Sequence, residues 1–95
     1  MIQVEYYPKN RVLQANGHAG YAPAGQDIVC AGASALIFGL IECLQQAGNV
    51  SAFKENKGSI YVKAKRDDRA FDVVLCGLKN LEMVYPKNVA VKIVT

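Results

Sequence analysis

The chain has 95 residues, 52% of them hydrophobic and 20% charged, and its 11 Lys and Arg against 8 Asp and Glu give a net charge of +3. That length suits one domain, 1–95, with a single layered core, and the balance of apolar and charged residues excludes the disordered and collagen-like classes. The positive charge is scattered, densest at Lys63, Lys65, Arg66 and Arg69; it biases the chain toward acidic partners without forming a nucleic-acid footprint, so no direct nucleic-acid contact is expected.

The segment Ile2-Gln3-Val4-Glu5-Tyr6 alternates apolar and polar residues, Pro8-Lys9-Asn10 reads as a turn, and Arg11 to His18 reads as a second extended segment. A hairpin therefore opens the domain, with the single histidine at the end of its second strand. From Asp27, a candidate N-cap, the pattern turns helical to Leu44, and Gly48 stands where a helix stops. The apolar run Ile28 to Ile41 is interrupted by Ser34 and falls short of the roughly 20 residues of a bilayer span, which predicts a buried central helix and no membrane partner. Val50 to Lys54 and Ile60 to Lys65 flank Glu55-Asn56-Lys57-Gly58 and read as a second hairpin. Asp67 and Asp68 offer the next N-cap, after which Phe71, Val74, Leu75, Leu78, Leu81 and Met83 or Val84 recur at helical spacing until Pro86. Val89 to Val94 is a strand by its β-branched content. The order ββαββαβ predicts an α+β fold, a two-layer sandwich with both helices on one face of a mostly antiparallel sheet.

No basic leader followed by an apolar stretch opens the sequence, which points to the cytoplasm. The three cysteines, an odd number without framework spacing, fit reduced thiols. Cys30 differs from the other two. With Asp27 as N-cap it lies in the first helical turn, where backbone N–H groups lack intrahelical partners and the helix dipole favours a thiolate. His18 lies upstream across a segment rich in Gly, Ala and Pro, so thiol and imidazole can meet across a short loop as nucleophile and base. Free N–H groups of the same turn offer a place for an oxyanion. Asp27 has two readings, a pure cap or a partner that orients His18. Ser34, one turn beyond Cys30, is either a packing residue or a hydrogen-bond partner of the site, and the second is favoured. Gly17 and Gly20 supply backbone freedom around the histidine. Cys43 and Cys76, with neither a basic neighbour nor a helix-start position, read as small core residues. The cysteines include no C-x-x-C pair, so neither a metal nor a cofactor is expected. The glycines at 17, 20 and 25 lack the lysine of a phosphate-binding loop.

Gly17-His18, followed by Gly25-Gln26-Asp27-Ile28-Val29-Cys30-Ala31-Gly32-Ala33-Ser34-Ala35-Leu36, resembles the signature of the bacterial ribosomal-processing cysteine protease family (Prp), in which G-H precedes a loop and then D-I-V-C-A-x-x-S. The resemblance implies an endopeptidase with Cys30 as nucleophile, His18 as base and acid, and Asp27, Ser34 and Gly17 in support. It further implies removal of a short N-terminal extension from a large-subunit ribosomal protein after a Phe-containing hydrophobic motif, a homodimer, and a mobile loop after the histidine; the substrate contacts of that loop, Ala19 to Gln26, do not follow from the resemblance, and Tyr21 is named as one from this sequence alone. The alternative is a non-catalytic, ribosome-associated binding module, motivated by the positive charge. A thiol redox sensor is a weaker alternative, because Cys43 lies too far along the same helix to bridge to Cys30.

Overall fold

Period-two alternation builds the opening hairpin, in which β1 (Ile2–Tyr7) buries Ile2 and Val4 and pairs antiparallel with β2 (Val12–Asn16). The computed structural model describes all residues, Met1–Thr95. After a loop the chain enters α1 (Ile28–Gln46), then the hairpin β3 (Ala52–Asn56) and β4 (Ser59–Lys63), then α2 (Ala70–Val84) and finally β5 (Val89–Ile93). Gly48, with a φ of 63°, follows the Ala47 C-cap of α1 as expected of a helix stop. At the start of α2 the side chain of Asp68 accepts the Ala70 N–H at 2.9 Å.

The five strands form one sheet in the order β3-β4-β2-β1-β5. Every neighbouring pair is antiparallel except β1 and β5, which run parallel, Val4 opposite Val91. The two helices pack on one another and on one face of this sheet, the two-layer α+β sandwich that the element order predicts. Leu13, Val62 and Val89 from the sheet meet Leu40 and Leu44 from α1 and Phe71 and Leu78 from α2, all fully buried. The Tyr6 ring stacks at a tilt on Phe71, 5.2 Å between centroids. At the β5 edge the Glu82 carboxylate accepts the outward Val91 N–H at 2.9 Å, which occupies a donor that an edge strand leaves open.

Several expectations need correction. β2 ends at Asn16, so His18 lies beyond the strand rather than at its end. The second hairpin is tighter than expected, because Glu55, Asn56 and Ser59 join the ladder and only Lys57 and Gly58 remain in the turn. α1 has 19 residues and is long and apolar enough by length and composition to cross a membrane. In this fold it is a core helix covered on one side only: Val29, Ala33, Ile37, Leu40, Ile41 and Leu44 are buried, whereas Ile28 and Phe38 are exposed. Two layers cannot surround a helix. For the same reason Cys43 and Cys76 are exposed and are not the core residues that the sequence suggests.

The only buried polar residue is Asn49, just after the α1 stop. Its Oδ1 accepts the N–H groups of Lys65 and Arg66 at 2.9 and 3.0 Å, and its Nδ2 donates to the Arg66 carbonyl at 3.0 Å. One amide thereby ties the end of α1 to the segment leaving β4.

Candidate active site

Asp27 sits in extended backbone at the head of α1 and caps it through Oδ1, which accepts Val29 N–H at 3.0 Å and Cys30 N–H at 2.9 Å. Its second oxygen turns the other way and accepts Tyr21 N–H at 3.0 Å and Ala22 N–H at 3.4 Å. Both oxygens are thus committed to backbone, joining the loop to the helix, and no hydrogen bond reaches His18. Of the two readings of Asp27, the structure has the cap. The expected oxyanion donors of the first turn are also committed, because Val29 and Cys30 N–H are held by Asp27 Oδ1 and Ala31 N–H by the Asp27 carbonyl at 3.1 Å.

These donors, the Cys30 N–H foremost, hold the Asp27 carboxyl below the usual carboxylate range against a smaller opposing effect of desolvation. A folded-state value below the ordinary one means that the clamp is fully present above about pH 4 and is lost as the pH falls through the lower folded value. Protection of the Tyr21 and Cys30 amides from hydrogen exchange, taken relative to unstructured amides at the same pH, is therefore expected to stay constant from neutral pH to about pH 4 and to fall only below it.

Cys30 is half-buried, the third residue of α1, and its Sγ accepts the Ala19 N–H at 3.1 Å. The chain reaches that point through Gly17, whose φ of 94° and close approach to the Met1 carbonyl leave no room for a Cβ. Gly17 N–H donates to the Gly58 carbonyl at 2.8 Å and so ties the start of the loop to the β3–β4 turn. The His18 imidazole lies on that turn: a Cβ added at Gly58, where φ is 75°, would come within 3.2 Å of Nε2. Gly58→Ala is therefore expected to crowd the imidazole and strain the turn, read as a shift of the His18 ring resonances and a lowered Tm.

No hydrogen bond joins His18 to Cys30, but the two line the same two clefts, as does Ser34. The first cleft, about 220 Å³, is walled by Ile2, Ala33, Ile37, Phe38 and Ile60. The second, about 560 Å³, is lined by Gly20, Ala22, Ala24 and Gly25, with Lys57 at its side. Ser34 is exposed and its side chain makes no hydrogen bond, contrary to the favoured expectation. Tyr21 lines neither cleft; its ring stands edge-on to Tyr85, 5.3 Å between centroids. Thiol and imidazole thus share a junction between an apolar cleft and a groove of small residues, an arrangement able to hold an extended peptide and transfer its acyl group. Sequence reasoning missed Gly58 and Ala19, whose roles come from contacts across the fold, and only the turn position of Gly58 was readable.

The family model described as "Cysteine protease Prp" matches residues 1–90. A relative from Mycoplasma genitalium, named ribosomal processing cysteine protease Prp, is 34% identical over 85 residues, which span 83% of this chain and 84% of that protein. A Staphylococcus aureus protein of the same name is 29% identical over 83 residues, 78% of this chain and 77% of its own. Among solved structures, the essential ribosomal processing protease Prp from S. aureus, in complex with a covalently linked product peptide, superposes with a TM-score of 0.87 at 24% identity, covering 99% of this chain and all of that one. SMU.848 from Streptococcus mutans superposes with a TM-score of 0.75 at 29% identity, covering 100% and 95%. The shared architecture is the two-layer sandwich described above.

Proposed function

The chain belongs to the cysteine protease Prp family, and from that premise we propose that Cys30 is the nucleophile and His18 the acid and base of an endopeptidase that trims an N-terminal extension from a large-subunit ribosomal protein. The observation that carries this reading is the placement of Cys30 Sγ in the first turn of α1, on a backbone N–H donor, in clefts that His18 also lines.

His18 takes the Cys30 thiol proton, and the thiolate so formed attacks the scissile carbonyl carbon, forming an S–C bond while the carbonyl π pair moves to oxygen. Collapse of that oxyanion breaks the C–N bond, and the His18 imidazolium gives its proton to the departing amine. Water then attacks the thioester, His18 takes its proton, and the acid leaves as the sulfur is released. The His18 side chain makes no hydrogen bond within the chain, which leaves the imidazole free to exchange protons in the clefts it shares with Cys30. Catalytic contacts are commonly loose before substrate arrives.

The names of the relatives support the ribosomal substrate. The apolar cleft beside Cys30 is of a kind to take the aromatic side chain of the expected Phe-containing motif. Exposed Ile28, Val73, Met83 and Val84 support a homodimer that covers them. Three free thiols, two of them exposed, fit the reducing cytoplasm. The test is mass spectrometry of an N-terminally extended large-subunit ribosomal protein incubated with this chain and with its Cys30→Ala and His18→Ala variants.

A further inference from the structure

We propose that Asn88 is a positioning residue for Cys30, holding in place Ala19, the loop residue whose N–H meets the sulfur; this rests on the reading of Cys30 as nucleophile. The one hydrogen-bond donor at Cys30 Sγ is Ala19 N–H, and the first-turn N–H groups of Val29, Cys30 and Ala31 are bonded to Asp27. Negative charge on the sulfur is therefore met by a donor from the loop and not from the helix.

Ala19 belongs to a segment that has little stiffness of its own, with Gly17 and Gly20 on either side at φ 94° and 68°. It is nevertheless buried, at 2% exposure, and its carbonyl accepts Asn88 Nδ2 at 2.9 Å. Asn88 is itself fixed on both sides. Its backbone N–H donates to the Tyr85 carbonyl at the end of α2, and its carbonyl accepts Ile2 N–H of β1, each at 2.9 Å. The side-chain amide thus ties the Ala19–Gly20 peptide to the frame of α2, β1 and β5 and so holds the position of Ala19, whose N–H lies on the adjoining His18–Ala19 peptide. The task needs a donor of this length: alanine at 88 leaves the Ala19 carbonyl unheld, and aspartate places an acceptor against it.

The experiment compares the full chain with Asn88→Ala and Asn88→Asp, following iodoacetamide alkylation of each cysteine separately by peptide mass spectrometry at neutral pH. Cys43 and Cys76 are exposed and remote in sequence from the site, and serve as internal references. In both variants Cys30 alkylation is expected to slow about tenfold while Cys43 and Cys76 react as before, and kcat for cleavage of an extension peptide to fall by a similar factor with KM within about twofold. Unchanged Cys30 reactivity in a folded variant overturns the proposal. So does a rise in all three rates together in both variants, which marks Asn88 as a residue of the fold alone. Alkylation reads the sulfur without cleavage, so failure of the protease assignment would show separately, as an intact peptide with the wild-type chain.

Discussion

Replacing Cys30 with alanine is expected to abolish cleavage of the N-terminally extended ribosomal protein, and His18→Ala to lower kcat by about 10² to 10⁴. The two losses differ in kind. Without the sulfur there is no acyl-enzyme, so no turnover remains; without the imidazole the thiol keeps its place on the Ala19 N–H, but the departing amine loses its proton donor. The supporting result is a single cut after an aromatic-containing segment, made by the wild-type chain and missing with Cys30→Ala. Should the ribosomal protein stay intact while wild-type Cys30 alkylates faster than Cys43 and Cys76, the nucleophile stands and the target is another protein. Should Cys30 react no faster than those two exposed thiols, the catalytic assignment fails and the binding module replaces it.

The largest expected loss of stability from a polar side chain is at Asn49. Asn49→Ala removes three hydrogen bonds and leaves the backbone N–H groups of Lys65 and Arg66 and the Arg66 carbonyl facing a site from which Asn49 itself is fully shielded. A buried group deprived of its partner costs about 1–3 kcal/mol, and some of these recover water because Lys65 and Arg66 are exposed, so a net loss of about 3 kcal/mol is expected. For a domain of this size that lowers Tm by about 12–24 °C, the loss being a large share of a total stability of about 5–15 kcal/mol. Asn49→Asp keeps the two acceptor bonds, loses the donor to Arg66 and is expected to fall between the two. Thermal unfolding followed by circular dichroism reads both; a shift below about 3 °C for Asn49→Ala would mean that water replaces the amide.

Much of the site was legible because it is local. Asp27 caps α1 and Cys30 falls in the first turn for reasons contained in a few consecutive residues, and the two hairpins and the α2 stripe of Phe71, Val74, Leu75 and Leu78 follow from side-chain periodicity. Periodicity says which side of an element is apolar, but not what covers it. That is why α1 reads as a buried central helix yet exposes Ile28 and Phe38, and why Cys43 and Cys76 lie at the surface. The parallel pairing of β1 with β5, the second oxygen of Asp27 on the loop, the seat of His18 on Gly58 and the chain from Asn88 through Ala19 to Cys30 belong to tertiary structure alone. Each is a directional contact between residues distant in sequence, and a directional contact is decided only once the sheet and helices have fixed where donor and acceptor stand.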